Sequence, residues 1–182
     1  MYRGLHMDNR SLVLLGLLMG QSQHGYQINE FIENNLSMIT DMKKPTAYAT
    51  LDKLSKLGYI DVHLEQEGNR PPRKVYSINE KGTHYFYSLL HENLSKAEMF
   101  QYQGDLGLMF MDYLPNEKSH EALHERLKQT EKLLQTLNQT PHHSNVKAVN
   151  LAIKHKIKML TAEVEFIQET IDEMNKSTLN LQ

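Results

Sequence analysis

Two groups of residues in this chain have the types and spacing that chemistry requires. His120, Glu121 and His124 form H-E-x-x-H. On a helix that spacing sets two imidazoles one turn apart to hold zinc, with the glutamate as general base. The second group is cationic: Arg70, Arg73 and Lys74 fall within five residues, directly after Asn69, and Lys43, Lys44, Lys53 and Lys56 lie upstream. Clusters of this kind neutralise phosphates. The chain has no cysteine, which excludes disulfides, thiolate zinc sites and cysteine nucleophiles.

The zinc reading is weak. Leu127 stands where the extended metalloprotease motif has glycine, and Leu123, Leu127, Leu134 and Leu137 commit that helix to packing. No catalytic residue, metal or cofactor is therefore expected. The cationic reading is local rather than global. The 182 residues carry a net charge of -2, and residues 1–80 balance nine Lys/Arg against nine Asp/Glu. Residues 40–76 hold seven against five, and residues 69–76 hold three against none. Partner choice depends on where charge sits, not on its sum.

The elements that position these residues are marked by proline and glycine. An apolar helix is predicted over 11–18, ending at Gly20, and His24-Gly25-Tyr26 opens a second, with Tyr26, Ile28, Phe31, Ile32 and Leu36 as its core spacing. Pro45 suits the first position of a third helix, along which Ala47, Leu51 and Leu54 form a buried stripe and which Gly58 ends. Alternating apolar residues from Ile60 predict a strand over 59–64, and 73–78 a second, joined by a loop with two prolines. Asn79 is an N-cap, after which helical spacing runs with little interruption to Pro115. Helices follow over 117–138 and from 146 to about 176. In the last, Ile157, Leu160, Val164, Ile167, Ile171 and Met174 step by three and four as a heptad seam.

Three short helices and a two-stranded hairpin are the parts of a winged helix-turn-helix. The fold class is thus mainly α with a small β-hairpin, extended by a coiled-coil-like helical part. The third helix turns Thr46, Ala49, Lys53 and Lys56 outward, flanked by Tyr48 and Asp52, and fits a major groove about 12 Å wide. The hairpin brings Arg70, Arg73 and Lys74 to phosphates. Tyr48 is assigned to DNA, whereas His24 and Tyr26 are assigned to the helix start and core.

The order of segments resembles the PadR family of bacterial transcription regulators. The resemblance lies in LVLLGLL (12–18) with the trailing His24-Gly25-Tyr26, in TAYATLDKLSKLGYI (46–60), and most specifically in the wing PPRKVYSINEKG (71–82). Ala47 and Ala49 replace the family's usual leucine and proline, and Lys43-Lys44 stands where small or polar residues are common. The motifs cover about residues 11–85; the rest is similar only in length and style to the longer-tailed subfamily with a C-terminal dimerisation domain. The resemblance implies a homodimeric repressor on a pseudo-palindromic duplex, and an effector such as a phenolic acid or another small toxic compound.

The expected division is 9–80 for DNA binding, 81–115 for connecting helices and 116–178 for an antiparallel dimerisation domain. DNA contacts are expected from Lys43, Lys44, Thr46, Tyr48, Ala49, Lys53, Asn69, Arg70, Arg73 and Lys74. Dimer contacts are expected from Ile157, Leu160, Val164, Ile167 and Ile171, a seam equally suited to an intramolecular hairpin. Methionine and aromatics in 99–113 suit a core, an interface or an adaptable pocket for a small aromatic or apolar effector, with Met99, Phe100, Tyr102 and Phe110 as its candidates. The apolar run over 12–19 is too short for a membrane span of about 20 residues. No signal-peptide cleavage site follows it, so a cytoplasmic location is expected. Met7 is a second possible start, and no role is assigned before Asn9. The competing classes are a helical protein-interaction module without DNA binding and a metal-dependent hydrolase.

Overall fold

The computed structural model describes residues 8–35, 42–66, 68, 71–97, 99, 101–140 and 147–179. The chain divides into two compact units, residues 1–99 and 100–182.

In the first unit, α1 (Asn9–Leu18) is capped by Asp8, whose carboxylate accepts from the Ser11 amide at 3.1 Å and from the Ser11 hydroxyl at 2.7 Å. The first of those bonds satisfies an amide at the helix start, where backbone N–H groups lack intrahelical partners. α1 buries Leu14, Leu15 and Leu18 against Ile28 and Ile32 of α2 (Gly25–Asn35) and Ala47, Leu51 and Leu54 of α3 (Lys44–Lys56). Lys43 is extended and Pro45 sits in the first turn of α3, where a missing N–H leaves no bond unmade. At its other end Gly58 adopts φ +72°. The Gly58 amide donates to Ser55 O at 2.9 Å and the Tyr59 amide to Leu54 O at 3.0 Å, the Schellman pattern that only a left-handed residue permits.

The wing is a hairpin of β2 (Ile60–Glu65) and β3 (Arg73–Ile78), with Ile60 opposite Ile78 and Glu65 opposite Arg73. A two-residue strand β1 (Gln23–His24) pairs with the other edge of β3, giving the order β1-β3-β2. The sequence pattern did not reveal β1: two residues are too few for an alternation to register. Nor is the alternating apolar face of β2 a buried one. Ile60 is buried, but Val62 is 37% and Leu64 67% exposed, because the hairpin projects beyond the helices. α4 (Glu80–Ser95) starts at Asn79, whose side chain accepts from the Gly82 amide at 3.0 Å and donates to Gly58 O and Asp61 Oδ1 at 3.2 Å. The helix does not continue to Pro115: Lys96 is extended (ψ 123°) and closes it.

In the second unit, α5 (Gly104–Met109) and a 3-10 turn (Met111–Tyr113) precede α6 (Asn116–Asn138) and α7 (Lys147–Leu179). α6 and α7 are antiparallel: His120 meets Asn175 and Arg126 meets Glu163. Leu123 and Leu127 pack on Ile167 and Ile171, with Leu108, Met111, Val164 and Met174 around them. The lower seam is therefore spent inside one chain. Ile167 and Ile171 are 0% and 1% exposed within the single chain, whereas Ile157, Leu160 and Val164 remain half-buried.

Candidate nucleic-acid interface

The stripe that α3 buries (Ala47, Thr50, Leu51, Leu54) decides what it shows. With 3.6 residues per turn, Ala49, Asp52, Lys53 and Lys56 must face outward, and all four are exposed. Tyr48 is half-buried and turns toward the wing. An open cleft of about 630 Å³ lies there, between Gly25 and Tyr26 of α2, Tyr48 and Asp52 of α3, and Arg73, Lys74 and Tyr76 of β3.

Gly25 explains why α2 and α3 come so close at this point. A Cβ on it would lie 2.7 Å from Tyr48 Cε1 and 3.2 Å from a Tyr76 ring carbon. The His-Gly-Tyr sequence thus owes its glycine to a tyrosine 23 positions on. Tyr26, expected in the core, is 46% exposed. Its ring stacks on His24 at 5.4 Å and carries the Arg73 guanidinium 5.4 Å from its centroid. An amphipathic ring can stand at the rim because its hydroxyl stays wet while its face supports a cation.

The cations differ in how they are held. Lys74 Nζ lies 3.6 Å from Asp52 Oδ1, across the cleft. Lys53 Nζ donates to Asp8 Oδ2 at 3.1 Å, on the α1 side, away from the cleft. Lys43, Lys44 and Lys56 are exposed, with no carboxylate partner among the described residues. Thr46 is half-buried and its carbonyl accepts from the Thr50 hydroxyl at 2.8 Å. Asn69 and Arg70 lie outside the described residues. On the wing surface, His24 Nε2 and His63 Nε2 approach Glu65 at 3.7 and 3.5 Å.

Two of the titrating groups shifted from their ordinary values lie beside α3. Burial, with the charges of Asp52 and Tyr48 nearby, raises the Tyr76 phenol above its ordinary value. Burial also pushes the Asp8 carboxyl up, but the two Ser11 bonds and Lys53 outweigh it and hold the group below its ordinary value.

The other sequence candidates are dispersed. His120 and His124 meet edge-on with centroids 4.5 Å apart, but a His120 ring nitrogen lies 3.0 Å from Asn175 Oδ1 and Glu121 pairs with Lys118 at 2.6 Å. No group of three metal-ligating side chains forms among the described residues. Of the effector candidates, Met99 is exposed and Phe100 lies outside the described residues. Tyr102 carries the Arg126 guanidinium at 5.1 Å, and Phe110 tilts against Tyr113 at 6.4 Å. Asp52, which the sequence places on the flank of this face but outside the expected contacts, lines the cleft, as do Gly25 and Tyr26, to which the sequence assigned no part in it. A lone acid on a basic helix was the signal for the first.

Helices α1 to α3 with the β2–β3 wing define a winged helix-turn-helix. Residues 14–88 match the transcriptional regulator PadR-like family. That match lies within the first unit. The chain is 28% identical over 87 residues to an uncharacterized protein of Lysinibacillus sphaericus, covering 48% of this chain and 77% of that one. It is 22% identical over 124 residues to the negative transcriptional regulator PadR of Bacillus subtilis, 68% of either chain. The Bacillus subtilis PadR crystal structure with operator DNA superposes with a TM-score of 0.78 at 18% identity, over 90% of this chain and 98% of that one. The same protein with p-coumaric acid gives 0.76 at 16% identity, over 94% and 98%. No described helix is long and apolar enough to cross a membrane.

Proposed function

We propose that the chain binds operator DNA as a homodimeric transcriptional repressor released by a small aromatic or apolar effector. One observation carries the reading: the outward face of α3 and the cations of β3 border the same cleft. A groove-fitting helix and a cationic wing thus present one side to a duplex. In this reading Thr46, Tyr48 and Ala49 face base edges, Lys43 and Lys44 meet phosphates at the start of α3, and Arg73 and Lys74 hold the backbone from the wing. Residues 9–80 bind DNA, 81–115 connect, and 116–178 pair two copies through the apolar residues of α7 that the hairpin leaves open.

The repressor sign and the effector class are supported by Bacillus subtilis PadR, a negative regulator solved with p-coumaric acid. The reading places the protein in the cytoplasm, with no enzymatic step, cofactor or metal. Selection from a random duplex pool tests it. Enrichment of a pseudo-palindrome with half-sites roughly 34 Å apart is expected, with affinity falling steeply as salt rises. Recovery of unenriched sequences contradicts it.

A further inference from the structure

We propose that Asp52 is a specificity-determining residue, reading a cytosine amino group in the major groove and withholding Lys74 from phosphates until that base is found. The inference rests on the DNA-binding reading above and deepens it.

Asp52 is the single acid among the 13 residues of α3, which carries Lys44, Lys53 and Lys56. It stands on the outward face, one turn beyond Tyr48 and Ala49. A carboxylate there meets repulsion from any duplex backbone, so it lowers affinity for DNA in general. Its charge is offset by Lys74, 3.6 Å away, with both side chains 56% exposed. A pair this exposed is held loosely enough that a base offering the carboxylate a better partner displaces Lys74. On random DNA the pair stays closed, Lys74 remains neutralised, and it releases no counterion. On the operator the carboxylate accepts a hydrogen bond from cytosine N4, the base-edge donor that matches an acidic side chain. Lys74, released, then reaches the backbone. The same exchange rewards the right sequence twice.

The test compares the full chain with Asp52→Asn, Lys74→Ala and the double variant. Random-pool selection comes first, then affinities for the enriched duplex and a scrambled one at several salt concentrations. In the wild-type motif one position per half-site should prefer cytosine by about tenfold or more, and Asp52→Asn should move that preference to adenine, the base an amide side chain matches. On scrambled DNA, Asp52→Asn should steepen the salt slope by about one unit, and Lys74→Ala in that background should remove the increase. In the wild-type background Lys74→Ala should flatten the slope on the enriched duplex only. A cytosine preference retained by Asp52→Asn, or a slope on scrambled DNA that Lys74→Ala lowers in the wild-type background, overturns the assignment while DNA binding stands. Failure of the wild type to enrich any sequence overturns the reading beneath it as well.

Discussion

Tyr48 occupies the space that a side chain on Gly25 would need: a Cβ at that position would fall 2.7 Å from Tyr48 Cε1. The φ of Gly25 is not positive, so alanine is acceptable to the backbone and only the contact is in question. Gly25→Ala should force the Tyr48 ring out of the cleft and cost about 1–3 kcal/mol of stability, the range for overpacking. Operator affinity should fall at temperatures where the variant is still folded. Unchanged operator affinity in a folded Gly25→Ala protein would show that the place of Tyr48 does not matter to binding.

Asp8 couples α1 to α3 through its Ser11 bonds and Lys53. Asp8→Ala should cost about 1 kcal/mol at pH 7, as the loss of an N-cap does. The carboxyl is held below its ordinary value of 3.8 in the folded chain, so it contributes stability above about pH 4. That contribution is lost as pH falls through the lowered value. The melting-temperature gap between wild type and Asp8→Ala should therefore narrow as pH falls below about 4. A constant gap contradicts the assignment.

His120 is engaged with Asn175, and Glu121 with Lys118, so neither is poised as a ligand or a base. The purified protein should carry no stoichiometric zinc, and His120→Ala should leave DNA affinity unchanged. One tightly bound zinc per chain, lost in that variant, would restore the metal reading of this helix.

Two substitutions on α7 separate folding from assembly. Ile167→Asp forces a charge into the hairpin core and should cost roughly 3 kcal/mol or more, seen as lost helical ellipticity on mild heating. Leu151 is exposed on the same helix, and Leu151→Asp should leave the single chain folded while weakening the dimer in sedimentation. Leu151→Asp with wild-type sedimentation would move the dimer surface elsewhere.

What could be read from the sequence was what acts locally. Pro45, Gly58 and Asn79 announce helix ends through their own backbone chemistry; Gly58 and Asn79 stand where expected, and Pro45 one residue inside the start of α3. The stripe Ala47, Leu51, Leu54 is a single-helix property and was equally legible. What escaped depends on distant partners. The α4 stop at Lys96 follows apolar spacing that would have suited a longer helix, and nothing in the residue type marks it. Tyr26 looks like core by spacing, but Arg73 and His24 keep it at the rim. The heptad seam was visible, but not its division between a partner helix in the same chain and an open face. Nor could the lysines be sorted: Lys53 pairs with Asp8 and Lys74 with Asp52, across 45 and 22 positions of chain.

The central claim is that β3 holds DNA by its backbone while α3 reads bases. The most direct test is affinity for the selected operator and for scrambled duplex across salt concentrations, for wild type, Arg73→Ala and Tyr48→Ala. Arg73→Ala should weaken both duplexes alike and lower the salt slope on each by about one unit. Tyr48→Ala should lose more on the operator than on scrambled DNA, narrowing the ratio between them. Affinities and slopes that Arg73→Ala leaves at wild-type values on both duplexes would contradict the account.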